Sequence, residues 1–195
     1  MEANEWERTV CSERGKEKSF FGEKFSSPLG LCCFFLAALA FFFWSPLVSL
    51  TLLLLPPAWE DWKTGYVSDY WSVFLAAAGL GHNVFYSRLT DGFISCAFVL
   101  GLYGLLFLLT KHAMGAGDIF LSGAAALWLV PVSVPLFLFL SASSAAIAGI
   151  VLLFFGRMSR REGIPFCPFI ALGGVAAYGA EVFQLPFFPS WHYFI

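Results

Sequence analysis

Uncharged apolar runs alternate with short polar breaks along most of the chain. The uncharged runs occupy residues 29–55, 70–87, 93–110 and 119–156, and a last, largely apolar run starts at 164 and fades near 185. About 20 apolar residues in a helix cross a hydrocarbon core of ~30 Å. The 38 residues from 119 to 156 therefore hold two helices, turning between Pro131 and Pro135. In the first run Pro46 is a candidate kink, and Pro56-Pro57 ends it. Residues 59–65, with Trp59 and Trp62 beside charged neighbours, read as an interfacial loop at headgroup level. The pattern predicts an all-α membrane protein, a polytopic bundle of about six transmembrane helices.

Composition agrees with the pattern. Of 195 residues, 59% are hydrophobic and only 12% charged, with mean hydropathy +0.77, far from the quarter charged residues of soluble domains. Residues 1–28 differ from the rest, carrying Arg8, Arg14, Lys16, Lys18 and Lys24 among six glutamates. Such a mixture is a polar arm, neither a nucleic-acid-binding tail nor a signal peptide, so the expected division is an arm at 1–28 and a membrane domain at 29–195. The five cysteines form no C-x-x-C pair and support neither a zinc ribbon nor a disulfide framework.

Span parity then assigns the polar breaks to sides. Two spans separate Asp61 from Asp118, which returns both acids to one membrane face, and two more return Arg157, Arg160 and Arg161 to it. With Lys63 and Lys111 that face outnumbers Arg88 on the other, so the positive-inside rule makes it cytoplasmic. The arm's own basic residues argue for the opposite orientation.

Candidate chemistry centres on Asp118, which follows Gly115-Ala116-Gly117 at the head of the long apolar run. An ionisable group at such a place is a functional candidate by default. Two carboxylates at one lipid edge can share a proton and divide the work of base and acid, as Asp61 and Asp118 would. Gly115 and Gly117 would let an extended peptide backbone approach closely. Structural alternatives stand beside this reading. Asp118 can serve as a helix N-cap, Asp61 as a loop acid paired with Lys63, Asp69 as the cap of the second span and Asp91 as a turn residue. His82 and His112 are too dispersed to suggest a metal site.

Three segments resemble those of type IV prepilin peptidases. Asp61-Trp62-Lys63-Thr64-Gly65 with the segment leading to Ser72 is similar to their first signature. Met114-Gly115-Ala116-Gly117-Asp118 resembles their G-x-G-D box, and Ile164-Pro165-Phe166-Cys167-Pro168-Phe169 resembles the I-P-F-G-P-F segment of their last helix. The resemblance implies a six-helix aspartyl endopeptidase with Asp61 and Asp118 as the catalytic pair and no metal or organic cofactor. It further implies removal of the short basic leader from prepilin or pseudopilin substrates at the cytoplasmic face of the bacterial inner membrane. Glu60, Asp69, Phe120 and Pro165 are the implied substrate contacts, the acids facing the basic leader.

Three positions depart from the pattern: Phe120 where many relatives carry lysine, Ser68 where proline is usual, and Cys167 where glycine is. The four-cysteine element and N-methyltransferase region of the long forms have no counterpart, so pilin methylation is not expected. The other class of function that the acids allow is a non-proteolytic carrier or assembly factor using the pair as a proton relay.

Overall fold

The computed structural model describes residues 36, 45–109, 115–155 and 165–183; the N-terminal arm, Lys111, His112 and the arginines of residues 157–161 lie outside the described residues. Six α-helices are described: α1 (Pro46–Thr64), α2 (Asp69–Phe85), α3 (Leu89–Leu109), α4 (Ala116–Ala126), α5 (Val134–Phe154) and α6 (Cys167–Val182). A single 3-10 turn, Pro131–Ser133, precedes α5 at the expected place. Among them Leu89–Leu109 and the segment Pro131–Leu152 are long and apolar enough to cross a membrane.

The first apolar run is divided differently from the sequence expectation. Ser45 caps α1, its hydroxyl accepting the Leu47 amide at 3.2 Å, and Pro46 sits in the first turn, where its missing N–H costs nothing. Pro46 is thus a helix start and not a kink. Nor do Pro56 and Pro57 end the helix; both are buried inside it. Continuing helically keeps Leu50, Leu53, Leu54, Pro57 and Asp61 on one buried stripe, at the spacing of successive turns. Neighbouring helices make proline tolerable within a membrane helix. The stop falls at Gly65, whose φ of 63° is left-handed and whose amide donates to the Asp61 carbonyl at 2.8 Å. Residues 59–64 are therefore the end of α1 and not an interfacial loop.

The fourth span is also shorter than expected. With 11 residues, α4 rises about 16 Å, half of a hydrocarbon core. Every residue from 121 to 130 is buried, so the chain leaves the helix inside the protein. Non-helical backbone at that depth needs partners from the protein itself. Asn83 Nδ2 donates to the Leu127 carbonyl (2.6 Å), Ser95 Oγ to that of Leu129 (2.8 Å), and the Val130 amide donates to Glu181 Oε1 (2.7 Å). Trp128 Nε1 donates to the Leu75 carbonyl at 3.2 Å, and Arg88 lies 3.6 Å from Glu181 Oε2. The sequence assigned none of these pairings.

Packing around α4 is built from α2, α3 and α6, while α6 also packs on α1 and α5. Gly173 sets the α5–α6 approach: a Cβ there would lie 2.9 Å from the Phe137 carbonyl oxygen. A small residue at such a crossing is the usual means of close helix approach in lipid. His82 is buried beside Tyr178, its Nε2 2.8 Å from the phenolic oxygen, and Trp128 packs near both rings. It is a core histidine.

Candidate active site

Three helix ends meet at one end of the bundle. Asp61 lies in the last turn of α1, Asp118 in the first turn of α4, and Cys167 opens α6. One oxygen or sulfur atom from each lies within 4.8 Å of the other two. Asp61 is 6% exposed, Cys167 is fully buried and Asp118 is half-buried. For the two aspartates the parity of the runs is thus realised in space, since Arg88, beyond the far end of α2, and Glu181, in the last turn of α6, lie at the other end.

The cysteine ties the two acids together. Its amide N–H donates to Asp61 Oδ2 at 2.9 Å, and its thiol donates to Asp118 Oδ1 at 3.2 Å. The first N–H groups of a helix have no partner within it, so Asp61 supplies from α1 a cap that α6 lacks. Asp118 stands three residues past the N-cap of α4, which is Gly115, and does not itself cap. Each carboxylate therefore lies against a helix N-terminus, where the backbone dipole favours negative charge. Two such ends offset part of the cost of burying the pair.

Residues expected at the substrate rim fall in different settings. Glu60 is half-buried and engaged: Oε1 accepts the Ser68 hydroxyl at 2.8 Å, and Oε2 accepts the Trp71 indole N–H at 2.9 Å and the Ser68 amide at 3.4 Å. It closes the turn from α1 to α2. Asp69 is exposed in the first turn of α2, with Ser68 in the cap position. Phe120 is 60% exposed, one turn into α4, and Pro165 is half-buried just before α6. Gly115 is exposed, and Gly117 is half-buried under the α1–α2 turn, where a Cβ would meet the Val67 carbonyl at 3.9 Å. Lys63 Nζ sits 4.6 Å above the Trp59 ring. Asp91 lies in the first turn of α3, away from the pair. Cys167 was noted only as a departure from a motif; its place between two proline-flanked phenylalanines was the signal that it enters the site.

Fold and site together define a helical membrane protein whose buried polar centre is a pair of aspartates at converging helix ends. The chain belongs to the type IV leader peptidase family, whose model matches residues 47–150, just over half of its length. It is 32% identical over 138 residues to the prepilin leader peptidase/N-methyltransferase of Burkholderia pseudomallei, in strains 1026b and K96243 alike. That alignment covers 66% of this chain and 43% of the relative. The Legionella pneumophila prepilin leader peptidase/N-methyltransferase is 38% identical over 100 residues, 49% of this chain and 34% of that protein. The chain thus spans less than half the length of these curated relatives. No solved structure matches it.

Proposed function

We propose that the protein is a membrane-embedded aspartic endopeptidase that removes the leader from prepilin-type substrates. The observation that carries this reading is the approach of Asp61 and Asp118, from opposite directions of the chain, to within 4.8 Å in a largely buried site. Carboxylates held that close cannot both ionise easily, so one proton is shared between them. The ionised member takes a proton from water as the oxygen attacks the scissile carbonyl, and the protonated member gives its proton to the carbonyl oxygen. The roles reverse as the tetrahedral intermediate collapses and the amine leaves with a proton.

The site sits where an unwound segment can reach it. Gly115 and Gly117 add no side chains of their own to the approach to Asp118, and the exposed Phe120 and half-buried Pro165 offer apolar surface near the starts of α4 and α6. Asp69 and the charge of Glu60 give the same end an acidic rim, suited to a basic leader. Membership of the family and the names of its relatives support prepilin or pseudopilin substrates. Lys63 at the dyad end, with Lys111 and the three arginines of residues 157–161, supports a multi-pass protein of the bacterial inner membrane with its site facing the cytoplasm. The arm at 1–28 is proposed to lie outside this catalytic domain.

The test is coexpression with a candidate prepilin, reading leader removal by gel shift beside Asp61→Asn and Asp118→Asn. Loss of cleavage in both variants supports the pair; cleavage that survives both removes it. A proton relay, by contrast, would tolerate Asp-to-Glu exchange and show no cleavage at all.

A further inference from the structure

Cys167 brings to the aspartate pair a donor of a different kind. Asp61, Asp118 and Cys167 present two oxygens and one sulfur within 4.8 Å of one another, and the sulfur already lies 3.2 Å from Asp118 Oδ1. Zinc bonds of about 2.0–2.2 Å to oxygen and 2.3 Å to sulfur, set tetrahedrally, place ligand atoms about 3.4–3.7 Å apart. Adjustments of about 1 Å at the ends of the side chains would bring the three to that spacing. The main chain of Cys167 is already held by the hydrogen bond from its amide N–H to Asp61 Oδ2. We infer that Asp61, Asp118 and Cys167 form an inhibitory site for a borderline-soft divalent cation of the zinc type.

The inference rests on the paired-aspartate reading of the site. Three protein ligands leave a fourth position open to water, the arrangement of an accessible zinc site. A cation held there occupies the place of the attacking water and removes the shared proton, so the pair can act as neither acid nor base. Charge balance does not oppose the exchange. One shared proton and a neutral thiol leave the trio with a single negative charge; releasing both protons to water and binding a dication leaves the same charge. The donor set also selects the metal. Calcium takes six to eight oxygen ligands and magnesium an octahedral, mostly aqueous shell, whereas a thiolate with two carboxylates suits zinc, cobalt or cadmium. The glycine usual at this position in the resembling family would supply no such donor, so the site is a property of this chain.

Cobalt(II) is the probe, because a thiolate bound to it gives a near-ultraviolet charge-transfer band. The full chain is held in nanodiscs with Cys11, Cys32, Cys33 and Cys96 changed to serine, and titrated with cobalt(II) chloride. The expected result is a charge-transfer band that zinc abolishes and millimolar magnesium does not. Cys167→Ser should lose the band, and Asp118→Asn should weaken cobalt binding by more than about tenfold, the low end of what even outer-shell changes cost. If Cys167→Ser does not fold, as judged by helicity and elution volume, Cys167→Gly takes its place. Cobalt binding without the band, or with unchanged affinity in both variants, overturns the inference. The readout is independent of proteolysis: a chain that forms the cobalt site but cuts no prepilin when stripped of metal refutes the peptidase reading alone. A chain that cuts prepilin but forms no site refutes the metal inference alone.

Discussion

Cys167 and Asp61 are joined between helices, the amide of the first residue of α6 donating to the carboxylate in the last turn of α1 at 2.9 Å. This bond ties the start of α6 to the end of α1 and orients one of the two aspartates. Asp61→Ala leaves that amide without its cap and should lower the unfolding free energy by about 1–2 kcal/mol. Asp61→Asn keeps an acceptor and should lose less. Thermal denaturation of the detergent-held chain measures the difference.

Glu60 holds the turn that delivers α2. Removing its carboxylate in Glu60→Ala strands the indole N–H of Trp71, which is 1% exposed, and frees the start of α2. A loss of about 1–3 kcal/mol is expected, with part recovered in Glu60→Gln, which retains one acceptor. Denaturation midpoints of the two variants, compared with the parent, check the order.

At the far end, Glu181 accepts the buried Val130 amide and faces Arg88. Glu181→Ala leaves a backbone N–H and a partly buried guanidinium unmatched, and should cost about 3–5 kcal/mol. Glu181→Gln preserves the acceptor for Val130 and should cost distinctly less. Equal midpoints for the two variants would show that the Val130 bond contributes nothing.

Asp69 tests the acidic rim. It is exposed, so Asp69→Asn should leave stability within about 0.5 kcal/mol of the parent. With a basic leader as substrate, KM should rise by up to about fivefold at low salt, the scale of one exposed ion pair. The difference should fade as added salt shortens the Debye length to about 3 Å near 1 M. Steady-state cleavage at two ionic strengths reads it.

What the sequence disclosed was spacing and parity. Counting apolar runs placed Asp61 and Asp118 at one end and the turn after α4 near Pro131, because both follow from how many residues cross a bilayer. Pro56-Pro57 misled, since a proline pair weakens a helix locally while the buried stripe from Leu50 to Asp61 is a property of packing. The shortness of α4 was equally hidden. Its 11 residues are ended by partners from Asn83, Ser95 and Glu181, and no local pattern announces bonds made across 34 to 51 positions. Cys167 was visible only as an unusual letter in a motif; its double contact with the acids comes from the way α6 starts.

The most direct test of the aspartate pair is the rate of leader removal from a purified prepilin by the parent chain, Asp61→Asn and Asp118→Asn, all reconstituted in lipid. Each asparagine keeps the size and an acceptor but cannot share or transfer the proton. The account predicts cleavage by the parent and a fall of more than about a thousandfold in each variant, with helicity and melting retained. Cleavage within tenfold of the parent in either folded variant would contradict it.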